Sequence, residues 1–175
     1  MPRLHVCALS KIEDTVRTTG ARSLVTLINP QTHVPRPLEI AAERHLIVGL
    51  SDIVAEMEGH ILPEEAHVAQ LVRFMRRWDR AEPVVVHCYA GVSRSTAAAY
   101  ITYCALRPEA CEWDTARRLR ALSPTATPNA RLVALGDALL GRNGAMIAAI
   151  EAIGRGQECF EGQPFSFDLG QREHA

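Results

Sequence analysis

The 175-residue chain predicts an α/β fold: a central, mostly parallel sheet flanked by helices, with a helical C-terminal half. Two patterns carry that expectation. Short continuous apolar runs alternate with helical periodicities through the first half, and such runs suit strands buried on both faces of a covered sheet. Beyond residue 94 the pattern is almost entirely helical. A strand-helix-strand first half followed by a helical second half implies an α/β domain.

The elements follow in order. "RLHVCAL" (3–9) reads as the first strand. Ser10 and Glu13 form a capping-box signature and Gly20 supplies a stop, framing a short helix over 11–19. "SLVTLI" (23–28) and "HLIVGL" (45–50) are the next strands. Pro63, at a first-turn position, opens "EEAHVAQLVRFMRRW", where Val68, Leu71, Val72 and Met75 recur at helical spacing. "PVVVH" (83–87) is a fourth strand, and helices are expected over 95–106, 112–122, 128–140 and 144–154. Residues 1–155 thus make one domain, and 156–175, with no clear period, are set apart as a tail of uncertain order.

Composition narrows the function classes. Hydrophobic residues make up 47%, and no stretch approaches the roughly 18 apolar residues of a membrane span. The start lacks the basic-then-apolar pattern of a signal peptide, so a cytoplasmic location is expected. A formal charge of −1 gives no sign of nucleic-acid binding. The 5 cysteines contain no C-x-x-C pair and read as free thiols, and the histidines form no ligand-spaced pattern, so no metal is expected.

A cysteine followed six places later by an arginine occurs twice, as Cys88–Arg94 and Cys111–Arg117. The second copy, "CEWDTAR", lies in a helical pattern, has no glycine, and carries Glu112 and Asp114, which would repel an anion. The first copy lies in "VVVHCYAGVSRSTAAAY", between a buried strand and a helix. No charge separates Cys88 from Arg94, and Gly91 sits mid-loop, where it permits positive φ or close approach of a ligand to the backbone. Loop amides and a helix N-terminus then converge on one anion site. Such surroundings favour the thiolate of a cysteine. Arg94 adds a planar two-pronged phosphate partner, and Ser95 a hydroxyl able to bond that thiolate.

"HCYAGVSRS" resembles the H-C-x-x-G-x-x-R-S/T signature of the cysteine-dependent protein tyrosine phosphatases, in particular their compact dual-specificity-like branch of bacterial type. The resemblance implies a phosphatase-like fold, Cys88 as nucleophile, Arg94 as phosphate-binding arginine and Ser95 as the hydroxyl that assists loss of the thiolate. Tyr89, Ala90, Gly91, Val92, Ser93 and Arg94 would form the phosphate-binding loop, supported by His87. The family also supplies an aspartate from a loop some thirty-odd residues earlier. Asp52, 36 residues before Cys88, takes that role, with Glu56, Glu58, Glu64 and Glu65 as rivals.

The implied activity is hydrolysis of a phosphomonoester, on a protein or a small molecule, through a cysteinyl-phosphate and without a cofactor. No membrane or nucleic-acid partner is implied. The lack of lysines in the loop disfavours polyphosphorylated inositol lipids. Two other classes share a cysteine-bearing anion loop: a catalytically silent phosphopeptide-binding module and a rhodanese-type sulfur transferase.

Overall fold

A computed structural model describes residues 3–170. Its core is a five-stranded sheet in the order β3-β2-β4-β1-β5. Strands β1 (Arg3–Ala8), β2 (Ser23–Ile28), β3 (His45–Gly49) and β4 (Val84–Cys88) are parallel. The central pair explains the apolar runs: every residue of β2 and β4 is buried.

Among the described residues six α-helices cover the sheet. One face receives α1 (Ile12–Thr19), whose Ile12 and Val16 pack with Cys7, Leu24 and Val85. The larger cluster joins α2 (Glu65–Arg77), α3 (Arg94–Leu106), α4 (Glu112–Leu122), α5 (Ala130–Leu140) and α6 (Ala145–Ile153) around Val6, Val25, Val86 and Tyr100. Buried polar groups fix how the helices meet. The carboxylate of Asp137 accepts from Gly144 N at 2.7 Å and Met146 N at 2.9 Å, satisfying first-turn amides of α6. Arg142 donates to Glu112 and to the carbonyl of Cys104, tying the end of α5 to α3 and α4.

Three local expectations are corrected. Ser10 does not cap α1; a 3₁₀ turn over Leu9–Lys11 precedes the helix, and the Ser10 hydroxyl instead donates to Glu161 Oε1 at 2.6 Å. Pro63 lies just outside α2, whose N-cap is Glu64 in a reciprocal capping box with His67. The boundary drawn at residue 155 does not coincide with the edge of the sheet. Phe165–Asp168 form β5, antiparallel to β1, with Phe167 fully buried.

Among the described residues no helix is long and apolar enough to cross a membrane.

Candidate active site

Cys88 is the last residue of β4, and Arg94 begins α3, so residues 89–93 form the turn between strand and helix at the carboxyl ends of the parallel strands. α/β sheets place ligand sites at this edge. The turn is held from outside. Tyr89 O accepts from Leu9 N (3.1 Å), Ala90 O from Gly162 N (2.8 Å), Val92 O from Thr127 N (3.0 Å) and Ser93 O from Asn129 N (3.2 Å). With these carbonyls tied outward, the amides of 89–93 have no partner among the described residues, and neither do the first-turn amides of α3. An arc of unpaired N–H groups is an anion cradle.

Gly91 makes that path possible. Its φ is +70°, and a Cβ there would lie 2.9 Å from both Ala8 N and the carbonyl carbon of Cys7. The loop is thus seated directly on the end of β1, with no room for a side chain.

Cys88 Sγ lies 3.0 Å from Ser95 Oγ, and both residues are buried. Arg94 is buried as well; its Nη1 donates to the carbonyl of Leu50 at 3.0 Å, while its Nε has no partner among the described residues. A buried, unsatisfied guanidinium N–H is costly, and an oxyanion in the cradle would relieve it. Tyr89 is exposed at the rim.

His87 supports the loop from below, and its tautomer follows from its partners. Nδ1 faces the carbonyl of Cys88 at 3.1 Å, which only accepts, so Nδ1 carries the proton. Nε2 then accepts from Thr26 Oγ1 (2.8 Å), and that hydroxyl in turn accepts from His45 Nε2 (2.8 Å). Burial pushes the His87 pKa down to about 4, so the ring is neutral at physiological pH.

Asp52 follows β3 and bonds to the loop. Its Oδ1 accepts from Ser93 Oγ at 2.7 Å and from Asn129 Nδ2 at 2.9 Å. Its rivals lie elsewhere. Glu64 caps α2, Glu65 sits in the first turn of that helix, and Glu56 and Glu58 are exposed with no bond to the loop.

The other cysteines build no such site. Burial pushes Cys7 and Cys104 up to about 12, which keeps both as thiols at neutral pH. Cys111 is exposed at the N-cap of α4, and Arg117 pairs with Asp114 in solvent, so the second cysteine–arginine spacing builds no site.

Sequence reasoning missed Thr26, Leu50, Thr127, Asn129 and Gly162, which bond to His87, Arg94, the loop and Asp52. Only Asn129 left a local signal, as a helix-capping asparagine in "TPNARL".

The strand-loop-helix anion cradle thus holds a cysteine and an arginine at one edge of the sheet. Residues 58–123, which include the whole loop, match the protein-tyrosine phosphatase family. No curated protein matches the chain. Among solved structures, a mouse putative dual specificity phosphatase complexed with zinc tungstate is similar at 21% identity and a TM-score of 0.61, over 84% of this chain and 86% of that one. Human DUSP28 is similar at 20% identity and 0.60, over 79% and 94%. A human tyrosine phosphatase-like serine/threonine/tyrosine-interacting protein is similar at 16% identity and 0.63, over 82% and 94%. The loop-bearing stretch is thus similar to the protein-tyrosine phosphatase family, and the fold around it is shared with solved dual-specificity phosphatase structures.

Proposed function

We propose that the protein hydrolyses phosphomonoesters, as a tyrosine or dual-specificity phosphatase, through a cysteinyl-phosphate on Cys88. The observation that carries this reading is the arrangement of the loop: outward-tied carbonyls, unpaired amides and the unpartnered Arg94 Nε, all around one sulfur. The equatorial oxygens of a bound phosphate accept from the amides and from Arg94. The Cys88 thiolate attacks phosphorus as the P–O bond to the leaving group breaks, and Asp52 gives that oxygen its proton.

Two donors already engage Asp52 Oδ1, so Oδ2 is the oxygen able to carry the proton, and the carboxylate left behind is stabilised by Ser93 and Asn129. Water then attacks phosphorus, Asp52 takes a proton from it, and Cys88 leaves as a thiolate held by Ser95. Residues 3–168 act as one folded unit in this reading. The five free cysteines fit a reducing compartment and support a cytoplasmic location.

An acid held beside the loop favours hydrolysis over the two other classes. A sulfur transferase has no use for it, and neither has a silent binding module. The test compares Asp52→Ala on p-nitrophenyl phosphate and on phenyl phosphate. Loss of the donor lowers kcat about a hundredfold or more on the poor leaving group and much less on the activated one. Equal effects on both esters would remove Asp52 from the proton transfer. An inert wild type that binds vanadate would leave only the binding module.

A further inference from the structure

One hollow lies away from the loop around Cys88. It holds about 340 Å³ and opens between the edge strand β3 and the last turns of α2. Leu46, Phe74 and Trp78 line it with apolar surface, and Arg44, Arg73 and Arg77 stand around it. Ser23, at the start of β2, marks which end of the sheet this is. Cys88 ends its strand, so the two places lie at opposite ends of parallel strands, about 13 Å apart along β2.

The cations differ in kind. Arg44 is anchored by Asp79 (3.0 Å) and Glu82 (3.0 Å), which fixes its guanidinium plane and offsets its charge. Arg73 and Arg77, four residues apart on one helix face, make no hydrogen bond or ion pair among the described residues. Basic residues in a last turn complement the helix dipole, but that alone does not build an aromatic-floored hollow between two arginines and a third held rigid across from them. With Arg44 held by Asp79 and Glu82, Arg73 and Arg77 are the lining cations that no carboxylate among the described residues pairs. A second hollow on the far side of α2 shares Arg73 and Arg77 and adds Arg76, with no carboxylate in its lining.

We propose that the β3–α2 hollow is a second ligand site, for a small amphiphilic anion: a carboxylate, sulfonate or phosphate carried on an aromatic or short acyl body. The volume lies in the range of small-molecule pockets, which pair a mainly apolar lining with a few placed polar groups. The apolar body lies on Phe74, Trp78 and Leu46, and the anionic head meets Arg73 and Arg77. Such a ligand bridges α2 to β3, the strand that runs on into Leu50 and Asp52.

The probe is 1-anilinonaphthalene-8-sulfonate, titrated by fluorescence with orthovanadate present to fill the catalytic loop. One saturable site is expected. Naphthalene-2-carboxylate displaces the dye if the natural body is aromatic, and octanoate if it is acyl. Arg73→Glu and Arg77→Glu each weaken binding about tenfold or more, while Arg76→Glu, which lies outside this hollow, changes it less than twofold. All three positions are exposed, and circular dichroism checks that the helix survives; Arg73→Gln and Arg77→Gln replace any variant that does not fold. Dye binding that vanadate abolishes, or that neither arginine variant weakens, overturns the proposal.

Discussion

At Gly91 one residue decides both the shape of the loop and its support. Alanine there faces two obstacles: a φ of +70° and a Cβ 2.9 Å from the backbone of β1. Gly91→Ala is expected to cost about 1–3 kcal/mol in stability and to weaken vanadate binding in the fraction that folds, since the amides no longer converge. Calorimetry and a vanadate titration read the two effects separately. His87 carries a prediction in pH. Its pKa is near 4 in the folded protein and 6.5 as a free side chain, so the unfolded chain binds the extra proton between those values. Stability is therefore full above pH 6.5 and falls as pH drops toward 4, by on the order of 3 kcal/mol. His5 and His45, also lowered by burial, act in the same direction. The slope of the thermal midpoint over that window should shrink in His87→Asn; an unchanged slope would assign it to other groups. Residues of this kind differ in how far the sequence discloses them. Cys88, Gly91, Arg94 and Ser95 are legible because strand, loop and helix follow one another in the chain. Thr26 and His45 are not, because their link to His87 exists only once β2 stands between β3 and β4.

Helix α5 shows how an element's end can serve the site. Asn129 is its N-cap: the side-chain oxygen accepts from Leu132 N at 3.0 Å, while Nδ2 donates to Asp52 Oδ1 and to the carbonyl of Ile53. The two functions come from opposite ends of one amide and can be separated. Asn129→Asp keeps an acceptor for the cap but gives up the donor and sets a like charge beside Asp52. Asn129→Ala loses both. The aspartate variant should hold stability within about 0.5 kcal/mol, whereas alanine costs about 1 kcal/mol, and both should lower kcat on phenyl phosphate. Activity that tracks stability instead would make Asn129 a cap and nothing more. Element ends are also where sequence reasoning strayed. Ser10 and Glu13 have the spacing of a capping box, but the Ser10 hydroxyl finds Glu161 on a segment 151 residues away. Local spacing carries no information about such a competitor. The helical pattern around Val68, Leu71, Val72 and Met75 was legible because burial of one face enforces it over three turns.

Across the whole molecule, the segment after α6 joins the sheet to the loop of residues 89–93. β5 pairs with β1, Phe167 is fully buried 5.4 Å from the Tyr103 ring, and just before the strand Gly162 N reaches Ala90 O at 2.8 Å. None of this was legible from a period. A four-residue strand on the sheet edge is too short to declare one, and its partner β1 lies at the other end of the chain. The segment thus makes two contributions, which two substitutions should pull apart. Phe167→Ala empties a core position and should cost about 3–5 kcal/mol, yet it leaves the Gly162–Ala90 bond in place, so the fraction that folds should bind vanadate normally. Gly162→Ala brings a Cβ to 2.9 Å from the carbonyl oxygen of Gly91. That displacement falls on the loop itself, so affinity for vanadate should drop several-fold with a smaller loss of stability. Thermal unfolding and vanadate titration on both variants give four numbers whose pattern decides the case. If both variants lose stability and affinity in the same proportion, the segment stabilises the domain without shaping the loop. If they separate as expected, residues at the end of the chain set the geometry of a site built around Cys88.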